Sequence, residues 1–299
     1  MSSIRIGSRG SALALAQATW VKKQIENRRP DCNAEVVVIK TRGDRFVDAP
    51  IQNFGGKGIF TKEIEDALLR NEVDIAVHSM KDLPVELPDD LTIAAVPQRE
   101  DPRDVLVSRA GIRLDQLPAG ARIGTGSLRR RAQILHYLPR LVMVPIRGNV
   151  DTRLRKLDGG EVDALVMAAA GLKRIGQTDR IVEFISADVC VSAVAQGALA
   201  LETRQDASIR ETLALLDDIT TYAEVSAERA FLIRLGGGCQ VPLGAYAKVE
   251  REKLKIIGVV ANPDGRTPAS ATIGSPSKIS GGASVISRRC CSMWKVSSS

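Results

Sequence analysis

Aromatic side chains make up only 3% of this 299-residue chain, and Tyr137 is the lone one within its most basic stretch, residues 122–156. Proteins that hold single-stranded nucleic acid stack bases on aromatic rings, so that platform is missing. Histidine is scarcer still: His78 and His136 stand apart, with no HExxH or comparable ligand spacing, and no metal site is expected. The five cysteines, Cys32, Cys190, Cys239, Cys290 and Cys291, are odd in number and form no CxxC pair. That excludes a disulfide framework and fits a reducing, cytoplasmic setting. No apolar run approaches the ~18 residues that span a bilayer, and Ile4–Gly7 reads as a strand instead of a signal-peptide core. The expected partners are therefore neither membrane nor nucleic acid.

What is present is charge, unevenly spread. Lys+Arg exceed Asp+Glu by 7 overall, and residues 98–196 hold 16 basic against 11 acidic groups. Residues 122–156 carry eight Arg, one Lys and a single acid, Asp151. Arginine in such excess over lysine favours planar, bidentate recognition of carboxylate or phosphate. A solvated basic face is the plain alternative. Without stacking aromatics, the basic stretch suits a small polyanion.

An apolar fraction of 44% over this length implies two or three domains. Strand and helix patterns alternate through the first two thirds. Strands are expected at Ile4–Gly7, Glu35–Lys40, Asp74–Val77, Val105–Val107, Arg122–Gly124, Val142–Ile146 and Ala164–Met167. Helices are expected after the cap Ser11 and over Thr61–Arg70, Ser127–Tyr137 and Asp151–Leu157. This grammar predicts two α/β units with mostly parallel sheets. A helix over Glu224–Leu235 and strands at Gly244–Val249 and Lys253–Val260 then predict a small α+β unit. Ligands in open α/β sheets sit beyond the carboxyl ends of strands. The segments Ser8–Ser11, His78–Asp82, Thr125–Ser127 and Arg147–Asn149 all follow strands, so a shared cleft is expected.

Two motifs speak for themselves. Gly124-Thr125-Gly126-Ser127 opens a helix whose first turns hold Arg129, Arg130 and Arg131. Ser127 is a good N-cap, and the Gly-rich entry exposes backbone N–H groups to an anion. Three arginines there oppose the helix dipole, a local cost that an anion would offset. Gly55-Gly56-Lys57-Gly58 fails as a phosphate loop, because position 51 is Ile and Gly58 follows the lysine. A lid carrying Lys57 is the better reading. Cys239 sits after three glycines and before Gln240, where a thiol is reachable. By residue type alone it reads as a plain loop cysteine.

In order along residues 4–274, these segments resemble the porphobilinogen deaminase (hydroxymethylbilane synthase) family. The motifs are Ser8-Arg9-Gly10-Ser11, Thr41-Arg42-Gly43-Asp44, Gly55–Gly58, His78-Ser79-Met80-Lys81-Asp82-Leu83-Pro84, Arg99–Asp104, Ser127–Arg130, Arg147-Gly148-Asn149, Gln196-Gly197-Ala198, Glu228-Arg229-Ala230 and Gly236–Pro242. The resemblance implies two periplasmic-binding-protein-like α/β domains and a small α+β C-terminal domain. Their expected bounds are 1–97 with 197–216, then 98–196, then 217–299. It implies a transferase of tetrapyrrole and heme biosynthesis, a monomer, that joins porphobilinogen units on a dipyrromethane cofactor held by a thioether at Cys239. Asp82 is the implied catalytic carboxylate. Lys81, Asp82, Thr125, Ser127, Arg129 and Arg130 would hold the cofactor. Arg9, Ser11, Ser79, Arg147 and Arg153 would hold substrate, and Lys57 would belong to the lid. A two-domain anion-binding protein without enzymatic activity is the alternative, and it would need no cysteine at position 239.

Asn53, Gly126 and Ala195 depart from the residues usual in that family. So does the terminus: residues 275–299 carry nine serines, Lys278, Arg288, Arg289 and Lys295, and no acid. They show no apolar stripe at helical spacing, although the family usually closes its third domain with an amphipathic helix there. Truncation after Gly274 should therefore leave cofactor content and specific activity nearly unchanged. Loss of folding in the truncated protein, or strong hydrogen-exchange protection over 278–295, would refute this.

Overall fold

The computed structural model describes residues 2–41, 61–205, 207–236, 242–251, 253–262, 264 and 269–274. The Lys57 loop, Asn53, Cys239 and the 275–299 tail lie outside these residues. Strand β1 (Ser2–Ser8) leads through Ser11, whose hydroxyl accepts from Ala14 N at 3.3 Å, into helix α1 (Ala12–Arg28). This side-chain cap satisfies one of the helix's unpaired N–H groups. Val21 and Ile25 of α1 are fully buried against Ile4 and Ile6 of β1. Then follow β2 (Cys32–Val38), α2 (Lys62–Leu69), β3 (Ile75–Ser79) and β4 (Leu91–Ala95). The sheet order is β2-β1-β3-β10-β4, where β10 (Leu199–Arg204) arrives much later in the chain.

The second sheet repeats the plan. It is built from β5 (Asp104–Ser108), β6 (Arg122–Gly124), α3 (Leu128–Tyr137), β7 (Val142–Val144) and α4 (Val150–Asp158). Strand β8 (Ala164–Ala168), helix α5 (Ala169–Arg174) and β9 (Glu183–Phe184) complete it, in the order β7-β6-β8-β5-β9. The expectation of mostly parallel sheets needs correction. In each sheet two pairings are parallel (β1 with β2 and β3; β6 with β7 and β8), and two are antiparallel. The antiparallel ones all involve β10 or β5. Each of these strands enters its sheet directly after the chain crosses from the other, without the intervening helix that a parallel return requires.

Helix α6 (Ala207–Ala214) packs Ile209 and Leu213 onto the first sheet's core, and a third layer follows in which α7 (Ile219–Arg234) lies on an antiparallel sheet of β11 (Leu243–Glu250), β12 (Lys253–Val260) and β13 (Ala269–Gly274). Helix α7 starts five residues before the predicted Glu224. Asp218 accepts from Thr221 N at 2.7 Å, and this cap outweighs the poor helix propensity of Thr220 and Thr221. A Cβ added at Gly258 would lie 2.4 Å from Phe231 Cζ, so only glycine lets α7 lie this close to β12.

Consecutive residues of α7 fasten this layer to the rest. Glu228, with no exposed surface, accepts from both terminal nitrogens of Arg99 at 2.7 and 3.1 Å, from Ala195 N at 2.6 Å and from Ala247 N at 2.8 Å. Arg229 donates to the carbonyls of Leu83, Pro84 and Val85, directly after the expected catalytic turn. Removing the Glu228 carboxylate would strand a buried guanidinium and two backbone N–H groups. Glu228→Ala should cost about 3–5 kcal/mol of stability, read as a lowered urea midpoint. A loss under about 1 kcal/mol would show that apolar packing alone fixes the third layer.

Candidate active site

Strand β3, central in the first sheet, carries the expected motif to its carboxyl end. His78 lies inside the strand, not after it, with Nε2 at 3.0 Å from Glu202 Oε2 on the neighbouring β10. Met80–Asp82 forms a single tight turn, closed by Leu83 N donating to Met80 O and anchored by Met80 N donating to Ala198 O. The turn leaves Asp82 exposed and Lys81 half-buried. Ser79 accepts from Gln17 Nε2 at 2.9 Å, so the hydroxyl is held in place by α1.

The polar segments of both sheets meet at this turn. Burial is the main reason that the Lys81 ammonium is pushed down to about 8; Asp82 opposes the shift, Arg130 and Arg129 add to it, and Asp104 opposes it. Arg153 of α4 is likewise lowered to about 10 by burial, with Arg130 and Arg147 adding to the effect and Asp82 resisting it. Lys81, Asp82, Arg129, Arg130, Arg147 and Arg153 therefore share one electrostatic site. Arg153 Nε donates to Gly148 O at 2.8 Å, and Arg174 donates to Gly197 O at 2.6 Å; the nearby charges of Asp82 and Glu100, respectively, only partly offset their burial. Arg174, also lowered to about 10 by burial, was not singled out from sequence. It ends the short helix α5 beside Lys173, and nothing local distinguishes it from a surface arginine.

The hydroxyls expected to touch ligand all have roles within the chain. Ser11 and Ser127 are N-caps, Ser127 accepting from Arg130 N at 3.4 Å, and Thr125 Oγ1 accepts from Ser127 N at 3.2 Å. Accepting through a lone pair leaves a hydroxyl its O–H to donate. Gly126 has a local cause: an added Cβ would lie 3.0 Å from Ile146 O. Arg9 is half-buried just after β1.

Arg129 and Arg130 are not a solvated charge run. Both are buried, and the anion at their helix start is Asp104, a residue of the protein itself. Arg129 donates to Asp104 Oδ2 at 2.7 Å and to Val191 O at 2.6 Å; Arg130 reaches Asp104 Oδ1 through two nitrogens, at 3.0 and 2.8 Å. The Cys190 thiol donates to Oδ2 at 3.3 Å, and Gln196 Nε2 donates to Oδ1 at 2.8 Å. The same surroundings, burial foremost and the Asp104 charge next, push Cys190 up to about 12, so it is a hydrogen-bond donor and not a nucleophile.

Burial by itself would raise the Asp104 carboxyl; the two guanidiniums overcome it and hold the group well below the ordinary carboxylate range. A carboxylate whose folded pKa is depressed stabilises the fold above its unfolded value, about 4, and that contribution is lost as pH falls toward the folded value. Asp104→Asn should therefore destabilise by about 3–5 kcal/mol near neutrality. The gap from wild type should stay level down to about pH 5 and narrow below about pH 4. A gap independent of pH down to 2 would show that shape, not charge, is what Asp104 contributes.

Residues 4–211 match the family model described as porphobilinogen deaminase, dipyromethane cofactor binding domain, and residues 222–278 match the porphobilinogen deaminase C-terminal domain. A porphobilinogen deaminase of Syntrophotalea carbinolica is 51% identical over 92% of this chain and 88% of its own. One from Syntrophus aciditrophicus is 52% identical over 88% of this chain and 87% of its own. Among solved structures, the methionine-binding protein MetQ aligns with 83% of this chain and 99% of its own, at 15% identity and a TM-score of 0.43. With both family models matched in order along most of its length, this chain belongs to the porphobilinogen deaminase family.

Proposed function

We propose that this chain deaminates porphobilinogen and joins the pyrroles stepwise, with Asp82 as the catalytic carboxylate, and releases hydroxymethylbilane by hydrolysis. The observation that carries the reading is one exposed carboxylate, Asp82, beside Lys81 and Arg153, two cations whose pKa values burial lowers and neighbouring arginines lower further, so that a negatively charged ligand would suit the site. Porphobilinogen bears an acetate and a propionate, and each unit added brings two more carboxylates. Family membership favours this over a non-enzymatic anion-binding protein.

The same surroundings are the test of whether a dipyrromethane fits: a group carrying carboxylates would offset the burial cost of the Lys81 and Arg153 cations. When bound, it would supply the free pyrrole carbon at which growth occurs. Cys239, outside the described residues, is the proposed attachment. Lys81, Thr125 and Ser127 would hold its carboxylates directly. Arg129 and Arg130 together keep one net positive charge against Asp104, directed at the same groups. Arg9, Arg147 and Arg153 would grip the substrate's carboxylates by charge-assisted bonds, with Ser11 and Ser79 donating beside them. Loss of ammonia leaves the substrate's pyrrole cationic. Asp82, fixed by the Met80–Asp82 turn, stabilises that charge without reorganising. Lys57 would cover the site.

The proposed domains are 1–97 with 197–216, 98–196 and 217–299. Their support is that β10 completes the first sheet, while β5–β9 form the second. Among the described residues no helix is long and apolar enough to cross a membrane. A cytoplasmic monomer with porphobilinogen as its small-molecule partner is the accompanying proposal, with no nucleic acid or membrane bound.

Asp82→Asn should keep the melting temperature and lower turnover by ~10²–10⁴-fold, about 3–5 kcal/mol of transition-state stabilisation. Turnover within a few fold of wild type would remove Asp82 from the mechanism. Cys239→Ser should fold yet lose the covalent mass excess of one dipyrrole seen in intact wild-type protein. An excess that persists in the variant would place the attachment elsewhere.

A further inference from the structure

Gln196 lies on the crossing segment between the two α/β sheets and is buried, with 1% of its surface exposed. Its side-chain amide uses every hydrogen-bonding position it has. Nε2 donates to Pro102 O at 2.8 Å and to Asp104 Oδ1 at 2.8 Å. Oε1 accepts from Lys81 Nζ at 3.3 Å and from Arg130 at 3.3 Å. The orientation is overdetermined, because Pro102 O and Asp104 only accept while Lys81 and Arg130 only donate. The backbone is pinned as well. Arg99 Nε donates to Gln196 O at 2.9 Å, and at Gly197, with φ +91, a Cβ would lie 2.2 Å from Glu100 O. One residue later, Ala198 O receives Met80 N of the catalytic turn.

We propose that Gln196 is a positioning residue for the reaction: its amide oxygen holds Lys81 of the first sheet and Arg130 of the second at one point, and so sets the Asp82 turn against the arginine-bearing helix. The chemistry of the residue matters. A carboxylate here would hold the same two cations but neutralise one of them, and the site would lose positive charge that suits an acidic ligand. An apolar side chain would leave both cations unheld. Only a neutral acceptor joins the two sheets and keeps the positive charge available. This inference rests on reading Lys81 and Arg130 as groups that face the ligand's carboxylates.

The test reads Lys81 itself, in the full-length chain carrying Cys239→Ser, by the pH dependence of acetic anhydride labelling at that residue. The groups that act on Lys81 are Asp82 of its own turn, Arg129 and Arg130 of α3, and Asp104 of β5. With Gln196 in place the labelling midpoint should lie at about 8. Gln196→Glu should raise it by about one unit or more, as an opposite charge within hydrogen-bonding distance does, and Gln196→Met should lower it. With Cys239 restored, both variants should lose at least about tenfold in kcat/KM for porphobilinogen. Midpoints unchanged in both folded variants would overturn the proposal, whatever happens to their melting temperatures. If neither variant folds, the Gln196 side-chain amide resonance of the otherwise unaltered chain decides: it should shift with the Lys81 titration, and a resonance without that inflection would overturn the proposal equally. The labelling needs no turnover. A wild-type chain that labels as expected but does not consume porphobilinogen would refute the activity and leave the positioning intact.

Discussion

A carboxylate with no exposed surface is tolerated only where other groups replace the water it has lost. Asp104 meets this condition with two guanidiniums, a thiol and a carboxamide, drawn from α3, the segment after β9 and the crossing back to the first sheet. Each donor is therefore held at its own place by the need to satisfy one anion. The start of α3 is where three arginines would otherwise work against the helix dipole. Asp104 offsets that conflict for Arg129 and Arg130 and keeps their guanidiniums in fixed positions. A desolvated, fully bonded network of this kind is rigid, because moving any one member strands another.

From that centre the connections run outward through Gln196. Its side chain joins Asp104 to Lys81, its carbonyl receives Arg99, and Arg99 in turn meets Glu228 of α7. Glu228 also binds Ala195 N and Ala247 N, so the crossing segment and β11 share one acceptor with the arginine. Arg229 adds the carbonyls that follow Asp82. The three sheets are thus joined close to the Met80–Asp82 turn by buried charges that would be costly to separate. Ala195 accepts φ +57 within this junction, a left-handed conformation that glycine adopts more easily. The strain sits where surrounding bonds overdetermine the backbone.

The alternation of strand and helix was legible because buried strands such as Val105–Val107 and amphipathic helices such as Thr61–Arg70 differ in hydrophobic period. The direction of β5 and β10 was not legible, since strand sense depends on the path by which the chain enters a sheet, and period carries no direction. The start of α7 was missed because its signal is one cap, Asp218, ahead of two residues with weak helix propensity. The strand-end segments bearing Arg9, Lys81, Asp82, Thr125 and Arg147 could be named from residue type and strand position. Gln17, Asp104, Cys190, Arg174 and Gln196 could not be given roles. Asp104, an acid set directly before the apolar run Val105–Val107, and Gln196 stood within recognised motifs, but no role followed from that.

By itself the sequence determined the two-unit α/β plan with its smaller third layer, the family, the excess of arginine and which residues are candidates for the chemistry. These depend on local pattern and on which side chains exist, and both are written along the chain. Tertiary structure alone decided how the charges are divided. Arg129 and Arg130 looked, from their spacing, like free ligand-binding cations, yet each has a counter-ion 25 or 26 residues away in the chain, in a strand of the same sheet. Lys81 and Arg153, less conspicuous in sequence, are cations that burial makes costly to keep charged. A charge's worth depends on its distance to every other charge and on how much water remains around it, and neither quantity exists until the chain has folded.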